Sequence, residues 1–158
     1  MGRSIGTGPS IHLAHMYETG GMVLISPFTS IKDAAKHTFG SIGSSIIKQR
    51  FDNLGKIESV KCPCLFIHGK EDSLIPYEHS KTLYTKCNRP AEILIYAGMT
   101  HQQFDAIECV AMPTVKFMEK ADPLWHKAHS VLQVPKFLFI TPKVLEKYVE
   151  QKSRESET

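Results

Sequence analysis

Three short apolar runs punctuate the chain, separated by longer stretches in which apolar and polar positions mix. The first is Met22-Val23-Leu24-Ile25-Ser26, ended by Pro27. The second is Cys64-Leu65-Phe66-Ile67-His68, ending at Gly69, and the third is Glu92-Ile93-Leu94-Ile95-Tyr96. Runs this short, bounded by glycine or proline, predict buried strands. The intervening stretches read as helices. Pro9 to Thr19 carries Ile11, Leu13, Ala14 and Met16 on an apolar side and stops at Gly20-Gly21. Residues 30–50 mix helix formers with Gly40 and Gly43, which predicts one or two helices with a break. Phe51 to Val60 reads as a loop with a turn of helix. Tyr77 to Cys87 suits a helix with Pro76 at or near its first turn. Gln102 to Lys120 reads as a helix in which Pro113 marks a kink or break. Short apolar strands alternating with helices predict an α/β fold: three mostly parallel strands flanked by helices on both faces.

The last part of the chain has a different texture. Lys136 to Ile140 is a short apolar run. Thr141-Pro142 follows as an N-cap and first helical residue, which predicts a helix through Lys143 to about Lys152 with a frayed polar end at Ser153–Thr158. The expected division is therefore an α/β domain over residues 1–120 and a helical C-terminal extension over 121–158.

Composition narrows the function classes. The chain has 158 residues, one domain's worth, and 42% apolar with 22% charged residues is ordinary for a soluble globular protein. The net charge of +3 is too small, and its lysines and arginines too scattered, to argue for nucleic acid. No apolar run approaches the roughly 20 residues of a membrane-spanning helix. No charged segment followed by an apolar one opens the chain as a signal peptide would. Cys62, Cys64, Cys87 and Cys109 form no dense disulfide framework, which predicts a reducing compartment, most simply the cytosol. Cys62-Pro63-Cys64 lacks an answering Cys or His pair at zinc-ligand spacing, so the expectation is buried small residues and no metal. No cofactor is implied.

The chemistry concentrates in three places. Gly2-Arg3-Ser4-Ile5-Gly6 is a G-x-S-x-G stretch, the pattern of a serine held on a sharp strand-to-helix turn. A serine hydroxyl needs a base to take its proton, and the base needs an acid to orient it. His68-Gly69-Lys70-Glu71-Asp72 follows the second predicted strand, and Gly98-Met99-Thr100-His101 follows the third. Both lie at carboxyl ends of predicted parallel strands, where open α/β sheets place their ligands. Ser4, Asp72 and His101 thus stand in the order nucleophile, acid, base. Ile5, directly after the serine, is the candidate backbone N–H donor to an oxyanion. Gly2 and Gly6 are expected to permit close approach on either side of the serine. Arg3 reads as a structural ion-pairing group before a contact for an anionic substrate group, His12 as packing or surface before catalysis, and Lys70-Glu71 as a solvated loop before a recognition patch.

GRSIGTGPS, ISPFTSIKDA, LFIHGKEDSLIPYEHS and AGMTHQQFD together resemble the α/β-hydrolase-domain-containing protein 17 group and its Bem46-like relatives. The resemblance covers roughly residues 1–120 and corresponds to the C-terminal half of that family's domain. It implies a serine hydrolase whose nucleophile falls on Ser4, acid on Asp72 and base on His101. Glu71 is a neighbouring carboxylate, but the HG-x-x-D pattern selects Asp72. The implied substrate is an acylated protein or a small acyl ester. Animal members remove palmitate from cysteines of membrane-associated proteins, and other relatives include esterases and peptidase-like enzymes.

The family's N-terminal half would supply earlier strands, a second oxyanion donor and, in the animal depalmitoylases, a cysteine cluster that anchors the protein to membranes. Without it, Met22–Ser26 is expected to be an exposed apolar edge, open to self-association or to the missing half. A truncated, inactive chain acting as an association module is the rival reading.

Overall fold

The computed structural model describes residues 1–121 other than Ile46, Ile47 and Gln49. The extension expected at 121–158, with its helix at 143–152, lies outside them except for Ala121. The described residues belong to one unit, Met1–Asp122.

Four parallel strands form a single sheet in the order β1-β2-β3-β4: β1 (Gly2–Arg3), β2 (Met22–Ile25), β3 (Cys64–Gly69) and β4 (Ala91–Tyr96). Parallel pairing requires a crossover between neighbours, and helices provide it. They are α1 (Thr7–Met16), α2 (Ile31–Ser45), α3 (Asn53–Ile57) and α4 (Glu78–Lys86). A π-helical turn, Ile107–Ala111, then leads into α5 (Met112–Ala121). Among the described residues no helix is long and apolar enough to cross a membrane.

The sheet has one strand more than the apolar runs announce. β1 is two residues long and contains a glycine, so it leaves no hydrophobic signature; its pairing Gly2↔Leu24 and Arg3↔Ile25 creates it. This corrects the expectation for Met22–Ser26. β2 is not an open edge: it pairs with β3 along all four residues and with β1 along its last two, and it is buried throughout.

The core explains why the apolar runs become strands. Ile11, Ala14, Met22, Leu24, Ile57, Val60, Cys62, Cys64, Phe66 and Leu83 form one buried cluster between the sheet and α1, α3 and α4. Alternate residues Val23, Ile25, Leu65 and Ile67 are buried as well. A strand buried on both faces needs apolar residues at every position, which is the continuous pattern of β2 and β3. Each fully buried Leu, Ile or Phe side chain contributes about 1.5–3 kcal/mol relative to exposure.

Helix ends depart from the sequence reading for local reasons. α1 begins at Thr7, before Pro9. Pro9 occupies the first turn, where N–H groups have no intrahelical partner and its missing donor is harmless. α2 is interrupted at Gly40, whose φ of 68° is open to glycine, as the expected break requires. Ser30 caps this helix: its Oγ accepts from the Asp33 N–H at 3.1 Å and donates to Asp33 Oδ2 at 2.7 Å. The last helical segment starts at Ile107, five residues after the Gln102 at which the sequence places it. Asp105 Oδ1 takes the Ile107 and Glu108 N–H groups at 2.8 and 2.9 Å and so sets the start. Pro113 falls just after the π-helical turn, where the hydrogen-bond pattern is already shifting.

Candidate active site

In a parallel sheet every strand delivers its carboxyl end to the same edge. Ser4 follows β1, Ser26 follows β2, Asp72 lies three residues beyond β3, and His101 five beyond β4. Four chain segments distant in sequence therefore converge on one place.

The first segment is a tight turn. Ser4 sits at φ 49°, in the left-handed region that non-glycine residues rarely adopt. It opens a short 3-10 turn, Ser4–Gly6, that runs directly into α1. Thr7 Oγ1 donates to the Ser4 carbonyl at 2.7 Å, and Ser10 Oγ donates to the Gly6 carbonyl at 2.9 Å. These bonds hold a strained backbone in place. Gly2 is needed: a Cβ there would lie 2.5 Å from the Gly6 carbonyl oxygen. Gly6 is not. A Cβ at Gly6 would meet nothing within 4 Å, which corrects the expectation that both glycines serve close approach.

Two loops carry the other partners, and they are laced together. Lys70 N–H donates to the Tyr96 carbonyl at 2.9 Å and Glu71 N–H to the Met99 carbonyl at 3.2 Å. Glu71 also accepts from the Gly98 N–H, at a turn where Gly98 has φ 75°. Gly69 makes the approach possible, since a Cβ there would lie 2.0 Å from the Met99 carbonyl oxygen. Arg3 reaches across from the serine turn. Its Nη2 donates to the His101 carbonyl, and its guanidinium lies 5.5 Å from the centre of the Phe104 ring. The ion pair expected of Arg3 is thus replaced by a bond to backbone and an aromatic contact.

The structure brings Ser4, His101 and Asp72 into one chain of contacts. His101 Nε2 is 3.0 Å from Ser4 Oγ, and His101 Nδ1 is 2.7 Å from Asp72 Oδ2. Asp72 is buried, at 5% exposure. Burial alone would raise its pKa. The nearby His68 N–H, with hydrogen bonds from the Ile75 N–H, His101 and Ser26, outweighs it and holds the carboxyl well below the usual carboxylate range. An ionised carboxylate only accepts, so Nδ1 of His101 must carry a proton. In the neutral ring Nε2 is then the unprotonated nitrogen, facing the Ser4 hydroxyl.

Several members of this constellation are not singled out by the sequence reading. Ser26 closes an apolar strand, yet its φ of 47° turns the chain and its Oγ donates to Asp72 Oδ2 at 2.9 Å. Leu74 and Ile75 N–H groups bind Asp72 Oδ1 at 3.0 and 2.9 Å. His68, fully buried, places Nε2 3.4 Å from Asp72 Oδ2. A polar residue at the end of each apolar run was the available clue. Ile5 is exposed at the head of the serine turn, with Leu74 exposed in the acid's loop. Other singled-out residues lie elsewhere. His15 Nδ1 is 2.6 Å from Ser59 Oγ, His12 is exposed beside it, and Cys62 and Cys64 are in the core.

Comparison with known proteins adds an independent line. A family model described as serine hydrolase (FSH1) matches residues 12–102, a span that takes in Asp72 and His101 and begins after Ser4. The chain is 36% identical over 104 residues to the human α/β-hydrolase domain-containing protein 17B, an alignment covering 66% of this chain and 35% of that one. To the 17C protein of Mus musculus it is 34% identical over the same length, with 66% and 32% covered. The chain thus spans about a third of the length of these curated relatives. Among solved structures, a monoacylglycerol lipase of Paleococcus ferrophilus superposes with a TM-score of 0.56 at 17% identity, covering 77% of this chain and 67% of that one. An acetyl xylan esterase from Paenibacillus sp. R4 gives 0.60 at 15% identity, with 76% and 44% covered. At such identities the likeness concerns the fold, and that fold is the α/β-hydrolase sheet.

Proposed function

The chain belongs to the serine hydrolase (FSH1) family, and from that premise we propose that Ser4, His101 and Asp72 form its catalytic triad, cleaving an acyl ester or thioester. The observation that carries the reading is the pair of contacts through one imidazole, 3.0 Å to Ser4 Oγ and 2.7 Å to Asp72 Oδ2. His101 Nε2 takes the hydroxyl proton as Ser4 Oγ attacks the acyl carbon. The imidazolium that forms is stabilised by the ionised Asp72 and returns its proton to the leaving oxygen or sulfur. The same imidazole then activates the water that releases the acyl group. The Ile5 N–H, first after the nucleophile, serves as an oxyanion donor.

The finer reading is removal of a fatty acyl group from a protein cysteine. It is supported by the resemblance to the protein 17 group and by the two exposed apolar side chains beside the triad, Ile5 and Leu74. Both would lie along the path of an acyl chain entering the site.

A fluorophosphonate probe tests the triad. The full chain is expected to label, and Ser4→Ala to lose labelling while keeping its fold. Equal labelling of the two would overturn the assignment. Turnover of acyl esters and acyl-cysteine thioesters of increasing chain length tests the substrate class. Long-chain thioesters as the best substrates would support deacylation of proteins, and a preference for short esters would replace it with a general esterase.

A further inference from the structure

We propose that His68 is a positioning residue for the acid: it fixes the short turn that carries Asp72, and so the direction of the carboxylate oxygen that meets His101. The inference rests on the triad reading above.

His68 is the fifth residue of β3 and is fully buried. Its Nε2 lies 2.8 Å from the Ile75 carbonyl oxygen. A carbonyl only accepts, so Nε2 carries a proton. In the neutral ring Nδ1 must then accept, and the Ser80 hydroxyl, 2.6 Å away in α4, donates to it. The ring is thereby locked at both nitrogens, by α4 on one side and by the turn at 72–75 on the other.

Ile75 is the pivot. Its carbonyl takes the His68 proton, and its N–H binds Asp72 Oδ1 at 2.9 Å. The Leu74 N–H binds the same oxygen at 3.0 Å. Oδ1 is therefore fixed by the turn that His68 holds. Oδ2 receives Ser26 Oγ at 2.9 Å and His101 Nδ1 at 2.7 Å. The His68 N–H stands 3.4 Å from Oδ2. That is too long for a principal bond and places a donor, not a competing acceptor, behind the oxygen. Rotation of the carboxylate would carry Oδ2 away from both Ser26 and His101 unless Oδ1 is held as well. The His68–Ile75–Asp72 arrangement opposes that rotation.

A merely structural histidine would stitch the turn to α4 and leave the Asp72–His101 bond alone. The two roles separate in the downfield proton resonance of His101 Nδ1–H, read on the full chain and assigned by its loss in His101→Gln. The side-chain nitrogen of glutamine falls near the position of a histidine Nε2, and that of asparagine does not. In folded His68→Asn the resonance is expected to broaden or move upfield, and probe labelling to slow about tenfold, the scale of a lost orienting partner. His68→Gln is expected to restore both. Ser80→Ala keeps the Ile75 contact and frees the ring on one side, so it tests the same point if His68→Asn does not fold; there the resonance is expected to shift. An unchanged resonance in folded His68→Asn, or in Ser80→Ala, overturns the proposal. So does equal loss in the Asn and Gln variants. Absence of the resonance from the unsubstituted chain would instead overturn the triad itself.

Discussion

Arg3, one residue before the candidate nucleophile, donates from its guanidinium to the backbone carbonyl of His101, the candidate base. The two residues are 98 positions apart, yet this bond ties the serine turn to the histidine loop without using either reactive side chain. The Phe104 ring beneath the guanidinium steadies it from the same loop.

Removing that tie should separate rate from stability. Arg3→Ala is expected to slow fluorophosphonate labelling about tenfold, because a small displacement of a base from its nucleophile is costly in rate. Arg3 is exposed, so unfolding stability is expected to change by only about 0.5 kcal/mol. Labelling kinetics beside urea unfolding check both. A large loss of stability with unaltered labelling per folded molecule would refute the tie.

The left-handed backbone at Ser4 makes a second expectation. Non-glycine residues in this region cost on the order of 1 kcal/mol or more, and glycine does not pay that strain. Ser4→Gly and Ser4→Ala both remove the hydroxyl, but only alanine keeps the unfavourable φ of 49°. Ser4→Gly is expected to be more stable than Ser4→Ala by about 1 kcal/mol in paired denaturation curves. Equal stabilities would mean that the turn relaxes without strain.

Asp72 should leave its mark on the pH dependence of stability. Burial opposes ionisation there, and the nearby His68 N–H together with hydrogen bonds from Ile75, His101 and Ser26 prevails and depresses the folded-state pKa. A depressed carboxyl contributes stability that is fully present above the unfolded value, about 4, and is lost as pH falls toward the folded one. The stability gap between the unsubstituted chain and Asp72→Asn is therefore expected to be widest near neutrality and to shrink below about pH 4. Chemical unfolding from neutral to acidic pH measures it, and a gap constant with pH would contradict the depressed pKa.

Two glycines near the site should behave oppositely. A Cβ at Gly69 would strike the Met99 carbonyl oxygen at 2.0 Å, whereas one at Gly6 meets open space. Gly69→Ala is expected to cost about 2–3 kcal/mol and to disturb the histidine loop. Gly6→Ala is expected to stay within about 0.5 kcal/mol. Thermal unfolding of the two variants side by side gives the comparison.

Much of this protein follows from local chemistry written along the chain. Continuous apolar runs place β2 and β3 in a parallel sheet covered on both faces, and the third run forms the half-buried edge strand β4. The positions of Ser4, Asp72 and His101 after β1, β3 and β4 follow from that topology, because parallel strands end on one edge. Periodicity and turn chemistry act over a few residues, and these features lie within that range. The rest needed the third dimension. β1 exists only because β2 lies beside it. The start of the last helical segment was decided by a single carboxylate, Asp105, which takes the Ile107 and Glu108 N–H groups. Ser26, His68 and Arg3 became neighbours of the triad through contacts spanning 46, 4 and 98 positions. Even the nearest of these, His68, is recognisable only from the direction of a buried ring. Hydrogen bonds of this kind depend on where atoms finish in space, and a one-dimensional pattern of polarity holds no record of it.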